Sequence, residues 1–437
     1  MENTKQKNKY KMLIANFAIC NVFYYVLFLL FTSFASAGEL KLQDLINEAL
    51  KNNPEILASE ARVSASKYRV PQAKSLPDPM FMAGYQNEGF DRYTYGETAD
   101  AQWMFSTSQM IPFPGKLSLK GEMAEKDSES LKASSESVRL QTILKVKELF
   151  YNLFLAYKSI DLVKGKSELF LRIEDAALSR YSTGMAPQQD ITMAQTEKYM
   201  LIEKEEMLKQ KIQSMEGMLN STIGRDVNFP VGRPAEPAPT AYIFEMDKLL
   251  KIANENSPEI KSREKMLASA DAKVRMAKKE YFPDFTITGS IMKKREPFED
   301  MWSLTTSINI PIFFRSKQKA AVKEADALMS ETGNELTATK LMVSSAVRDN
   351  YSMVKTAERL IELYKNGLIP KTYQDFESAM SGYSTGKVEV TAVINRLKSV
   401  LDFEILYWEQ FIQRENAIAR LEAITGIQNF ATEVKEK

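Results

Sequence analysis

Hydrophobic positions follow a helical period through two long stretches of the chain. Residues 116–181 and 317–383 carry apolar side chains at coiled-coil spacing, and their one proline is Pro370. At 1.5 Å per residue each stretch predicts a helix roughly 100 Å long, and a fibrous coiled coil is the alternative interpretation. Further helices are predicted to return from Gln188 and from Val388, giving two helical hairpins. The apolar positions are Ile143, Val146, Phe150, Leu153, Tyr157 and Ile160, then Val347, Tyr351, Val354, Ile361, Tyr364 and Leu368.

Before each long stretch the hydrophobic period changes to two. Phe285, Ile287 and Ile291 alternate with small polar residues, and the alternation resumes around Trp302. Strands of a transmembrane β-barrel have one apolar face toward lipid and one polar face toward water, although strands of a soluble sandwich look similar. The alternating positions are Phe81, Ala83 and Tyr85; Trp103, Phe105, Thr107, Gln109 and Ile111; Phe285, Ile287, Gly289 and Ile291; Trp302, Leu304, Thr306, Ile308 and Ile310.

The pattern thus contains four strands, which are too few to close a barrel with a lumen. Open strand edges are not tolerated in lipid, because their backbone polar groups have no partners there. The sequence therefore predicts an oligomer, in which three chains would supply twelve strands.

Matches between the two halves of the chain indicate an internal duplication. They keep the same order and lie 199 to 206 residues apart, so each copy is about 200 residues long. Each copy opens with a short helical pattern, and Pro54 or Pro258 then stands at a favourable first-turn position of a second helix. The matched segments are 45–56 with 249–260, 73–78 with 277–284, 109–113 with 309–313, and 181–184 with 383–386.

A proline-rich segment separates the two copies. Residues 228–240 contain four prolines and Gly232, a composition that breaks regular structure. The predicted organisation is a first repeat at 38–227, a linker at 228–240 and a second repeat at 241–437.

The N-terminus has the layout of a secretory signal. Four lysines precede an apolar run at 12–34, and Ala35-Ser36-Ala37 follows it. We therefore predict a signal peptide at 1–37 that is cleaved after Ala37, with an uncleaved anchor as the alternative. Cys20 lies inside the run without the small-residue context of a lipoprotein cleavage site.

Composition argues against enzyme chemistry. Cys20 is the one cysteine and the chain contains no histidine, so the mature protein lacks thiol nucleophiles and the commonest general base and metal ligand. We expect no catalytic residue, no cofactor and no bound metal. Lys and Arg number 58 against 57 Asp and Glu, which gives no field to attract nucleic acid.

Methionine is frequent, with 22 residues in the chain. Its thioether binds soft ions such as Cu⁺ and Ag⁺, but methionine is more often adaptable apolar filler. The second interpretation is favoured here, because no Met-x-x-Met cluster lies at the hairpin tips. The strand segments carry Met80, Met82, Met104 and Met110.

Several motifs resemble the outer-membrane efflux family typified by TolC, over essentially the whole mature chain. The Asn-Pro-Glu-Ile of that family stands at 53–56, and its Tyr-x-x-Gly at the hairpin tips stands at 181–184 and 383–386. Residues 109–116 and 186–190 resemble the Cus/Czc-like branch that serves heavy-metal pumps.

The resemblance implies a fold that is mainly α with membrane β-strands: two tandem repeats, each of helix, strand pair and long helical hairpin. Three chains would form a 12-strand β-barrel in outer-membrane lipid, continued by a 12-helix α-barrel across the periplasm. A periplasmic adaptor (membrane fusion protein) and an inner-membrane pump would dock below this passive exit duct. The resemblance to the heavy-metal branch implies a pump of the RND type that exports heavy-metal cations. Drug efflux, type I protein secretion and a non-channel coiled-coil scaffold of the periplasm or cell surface are the alternatives.

The resemblance also places a periplasmic gate at the hairpin tips. Asp190 matches a carboxylate of that gate, and an acid favoured by the helix dipole at a helix start is an equally weighted alternative. Two gate aspartates of TolC are replaced by Ala392 and Asn395, and a basic residue that ties its tips together is replaced by Val388. For Tyr181 and Tyr383, packing in the core between helices is the favoured alternative. The gate candidates are Tyr181, Gly184, Asp190, Tyr383, Gly386, Glu389 and Asn395.

Overall fold

The computed structural model describes residues 39–241 and 245–427. The predicted signal segment at 1–37, including Cys20, lies outside the described residues. The described chain forms the same series of elements twice, as the duplication predicts. The first series is α1 (Leu42–Asn52), α2 (Pro54–Lys74), β1 (Met80–Gln86), β2 (Gln102–Ile111), α3 (Lys116–Ser182) and α4 (Gln188–Ile223). The second is α5 (Met246–Asn256), α6 (Pro258–Lys279), β3 (Asp284–Lys293), β4 (Met301–Asn309), α7 (Gln318–Leu363), a π-helical turn (Tyr364–Leu368), α8 (Ile369–Ser384) and α9 (Val390–Thr425).

The Asn-Pro-Glu-Ile motif is a helix start. Pro54 occupies the first turn of α2, and the Asn53 side chain accepts hydrogen bonds from the backbone N–H of Glu55 at 2.8 Å and of Ile56 at 3.0 Å. The amide of Asn53 also donates to the carbonyl of Thr222 at 2.7 Å. This residue therefore caps α2 and ties it to the end of α4.

The first long helix is continuous. Helix α3 has 67 residues, which corresponds to about 100 Å, and its predicted apolar stripe is buried at Val146, Phe150 and Leu153. These side chains pack with α1, α4 and α9, so the core extends along the bundle.

The second long helix, predicted over 317–383, is interrupted. Helix α7 ends at Leu363, and the π-helical turn precedes α8. Pro370 explains the break, because proline has no N–H to donate and its ring clashes with the carbonyl four residues earlier. The returning helix α9 also starts at Val390 and not at the predicted Val388.

The four strands form one antiparallel sheet in the order β1-β2-β3-β4. Strand β2 pairs with β3, so the sheet joins the two copies. Phe105 lies opposite Ile291, which lies opposite Trp302, and these cross-strand partners share the predicted apolar face. That face is open in the single chain, with Trp302 79% and Leu304 70% exposed. Serines and threonines occupy the opposite face, including Ser106, Ser108, Thr286, Thr288, Ser290, Ser303, Thr305 and Ser307.

The linker lies along the helical shaft. The N–H of Leu40 donates to the carbonyl of Arg233 at 2.9 Å, and the carbonyl of Leu40 accepts from the N–H of Ala235 at 3.1 Å. The N–H of Thr240 donates to the buried carboxylate of Glu415.

Across the ranges 39–241 and 245–427, no helix is long and apolar enough to cross a membrane.

Candidate functional site

The two Tyr-Ser-Thr-Gly turns lie side by side at one end of the helical hairpins. Gly184 and Gly386 have φ angles of 73° and 77°, the left-handed conformation that ends a helix. In the first turn the N–H of Met185 returns to the carbonyl of Arg180 at 2.8 Å. A Cβ at Gly386 would lie 3.3 Å from the Arg180 guanidinium, so the two turns are in close contact.

A buried tyrosine joins the second turn to the first hairpin. The Tyr383 side chain is fully buried, and its hydroxyl donates a hydrogen bond to Oδ2 of Asp190 at 2.9 Å. Burial, with a smaller contribution from the Asp190 carboxylate, raises the pKa of Tyr383 to about 12. Tyr383 is therefore a neutral donor at physiological pH, and Asp190 accepts from it.

Arg180 completes this connection, and sequence reasoning missed it. Its guanidinium lies over the Tyr383 ring, 4.6 Å from the centroid, and donates to the carbonyl oxygens of Tyr383 at 2.8 Å and Met185 at 3.0 Å. A comparison of the two copies could have indicated Arg180, because the second copy has Gly382 at the equivalent position. We call Arg180, Asp190 and Tyr383 the tip cluster.

The structure brings together some gate candidates and leaves others apart. A cleft of about 590 Å³ between the turns is lined by the tip cluster, Gly386 and Glu389. Glu389 is exposed just before α9 and accepts from the Thr391 hydroxyl at 3.4 Å. The cleft lining does not include Tyr181, Gly184 or Asn395. Tyr181 is 46% exposed, so the equivalent tyrosines of the two copies have different surroundings.

Ion pairs connect the copies along the shaft. Lys166 bonds Glu404 at 2.8 Å with both side chains largely buried, and Lys398 bonds Glu197 at 3.1 Å. Near the sheet, the buried Lys116 reaches Asp284 at 2.9 Å.

Within the described part of the chain, no group of three or more His, Cys, Asp or Glu side chains is arranged to hold a metal ion.

The profile of the outer membrane efflux protein family matches residues 45–225 and 249–426. The chain belongs to this family. It is thus an efflux protein of the outer membrane and not an enzyme, which confirms the predicted family, class and location. The limits of the two repeats and the linker remain predictions.

Comparison with individual proteins gives a consistent result. The chain is 22% identical over 404 residues to the cobalt-zinc-cadmium resistance protein CzcC of Cupriavidus metallidurans, covering 90% of this chain and 91% of that one. It is 23% identical over 299 residues to the probable outer membrane lipoprotein SilC of Salmonella typhimurium, covering 64% and 63%. The crystal structure of CusC superposes with a TM-score of 0.76 at 16% identity, covering 89% of this chain and 92% of that one. This superposition confirms the predicted fold.

Proposed function

We propose that three copies of this chain form a passive exit duct across the outer membrane and periplasm, serving an RND-type pump that exports heavy-metal cations. The observation that carries the proposal is the four-stranded sheet, whose apolar face is uncovered and whose outer strands β1 and β4 are unpaired within the described residues. Pairing of β4 with β1 of the next copy removes both edges, and three copies give a closed twelve-stranded wall.

The two faces of the sheet suit this arrangement. The apolar face, with Trp302 and Leu304, would contact lipid, and the serines and threonines of the other face would line a water-filled pore. The helical hairpins would continue the wall and meet an adaptor and pump at the tips. The name of the relative CzcC, a cobalt-zinc-cadmium resistance protein, supports metal cations as the cargo.

The gate is also a proposal. The tip cluster links the two hairpins of one chain, and we place it in the closed state of the duct. Opening requires the tips to separate, which breaks the bond between Tyr383 and Asp190 and releases Arg180 from the second turn. Glu389 borders the same cleft and would add negative charge near the threefold axis.

Conductance of the purified protein tests the duct. Protein extracted in detergent is expected to migrate as a heat-resistant trimer and to give single channels in planar bilayers. A water-soluble monomer that gives no channels would instead support the coiled-coil scaffold.

A gene deletion tests the cargo. Loss of the gene should raise cellular metal content and leave drug tolerance and protein secretion unchanged. The opposite pattern would assign the duct to drug efflux or type I secretion.

A further inference from the structure

Methionines of the sheet are confined to one face. The register places all six strand methionines on the face of the serines and threonines: Met80 lies opposite Ser108, Met82 opposite Ser106, and Met110 opposite Thr286. The apolar face carries mostly aromatic, branched and small residues, with Gln109 and Lys293 among them, and it has no methionine in these strands. If these methionines served only as adaptable apolar filler, they would be expected on the apolar face. None of them lies there, which argues against that interpretation.

Three of these methionines form a row across the sheet. Met104 of β2 lies opposite Met292 of β3, which lies opposite Met301 of β4. Directly opposed residues of neighbouring strands have Cα atoms about 4.5–5.5 Å apart, and the flexible thioether side chain spans that separation easily. Met82 is diagonal to Met104 across β1 and β2. We call Met104, Met292 and Met301 the methionine row.

The row lies at the end of the sheet that is remote from the helices. Met292 and Met301 flank the loop between β3 and β4, and Met104 follows the loop between β1 and β2. Met301 is 50% exposed and the other two are half-buried. The sulfur atoms are therefore on the polar side of the wall and next to its outer mouth.

We propose that the methionine row binds monovalent soft cations, Cu⁺ or Ag⁺, as they leave the pore. This inference rests on the proposed duct, because it requires the polar face to line the lumen. Thioethers are neutral soft ligands that select Cu⁺ and Ag⁺ over Zn²⁺, which prefers imidazole, thiolate and carboxylate. The thioethers themselves are neutral and add no charge to hold the ion, so binding is weak enough for release, as conduction demands.

Titration of labelled protein tests the row directly. Detergent-purified protein carrying ¹³C-methyl methionine is titrated with Ag⁺ and, separately, with Zn²⁺, and methyl shifts are recorded by NMR. Cleavage of the predicted signal peptide removes Cys20, so no thiol competes for silver, and the mass of the purified protein verifies this. Leucine keeps the volume and apolar character of methionine, so a triple replacement of the row should preserve the fold. The matched control replaces three exposed methionines of α4 by leucine: Met200, Met207 and Met218.

We expect Ag⁺ to shift the methyl resonances of the row, and Zn²⁺ to leave them in place. The row variant should bind Ag⁺ at least tenfold more weakly than the control variant, while both conduct K⁺ like the parent. Equal Ag⁺ affinity in the two variants, or unshifted row resonances in a protein that conducts K⁺, would overturn the inference and leave the duct intact. Absence of trimers and of K⁺ conductance in the parent would instead overturn the duct.

Discussion

Replacement of Tyr383 by phenylalanine should weaken the closed state of the duct. The change removes one hydroxyl and keeps the buried ring, so the packing of the tip is retained. The lost hydrogen bond goes to a charged acceptor, Asp190, at 2.9 Å, and such bonds contribute about 1.5–3 kcal/mol. Asp190 is half-buried and can recover water, which favours the lower end of this range.

A loss of about 1.5 kcal/mol per chain changes the ratio of linked to separated tips roughly tenfold. If the three tips of a trimer open together, the effects multiply, and the closed state loses about 4.5 kcal/mol. The fraction of open channels in planar bilayers should then rise far above that of the parent. Bacteria that carry the variant should also become sensitive to large antibiotics that normally fail to cross the outer membrane.

Tyr181→Phe is the matched control. It makes the same chemical change at the equivalent position of the first copy, where the side chain is 46% exposed. This variant should conduct like the parent. If Tyr383→Phe and Tyr181→Phe give the same open probability while both form normal trimers, the bond to Asp190 has no part in closure and the assigned gate is wrong.

Three further outcomes are expected. The pKa of Tyr383 is raised from about 10 to about 12 by burial, so its hydroxyl stabilises the linked tips fully below pH 10, and this stabilisation is lost as pH rises toward 12. Open probability should therefore stay constant between pH 6 and 9 and rise above pH 10 in the parent but not in Tyr383→Phe. Asn53→Ala should destabilise the protein by about 0.5–2 kcal/mol in thermal unfolding, whereas Ser257→Ala, at the second-copy position that makes no side-chain cap, should not. Leu304→Arg should cost about 2–4 kcal/mol per chain in membrane assembly and Ser303→Arg much less, and equal losses would contradict the assignment of the two faces.

Local patterns predicted most of the elements. Period-two alternation located the strands and their faces, and coiled-coil spacing located the long helices, because each reflects the burial of one side of a regular element. Pro370 was a sequence signal for the interruption at 364–368, but apolar spacing does not show whether a bundle accommodates a proline by a kink or by a π-helical turn. The methionine row needed the pairing of β2 with β3, which joins residues almost two hundred positions apart.

The tip cluster was only partly predictable, for a related reason. Asp190 was found through a motif, but its partner Tyr383 and the contribution of Arg180 arise from contacts separated by 193 and 203 residues. The two copies share the residues that build the turns, which is why both turns were recognised. They differ at Arg180 and Gly382, where the first copy has a long cationic side chain and the second has none.

That difference has a structural consequence. A Cβ at position 382 would lie 2.6 Å from the Val388 side chain, so glycine there allows the second turn to fold tightly onto itself. The carbonyl of Tyr383 is available to Arg180 of the first copy, and the guanidinium covers the Tyr383 ring. An arginine at position 382, as in the first copy, would not fit beside Val388. Duplication thus provided two hairpins with the same turns, and divergence at Arg180 and Gly382 lets the first turn bind the second.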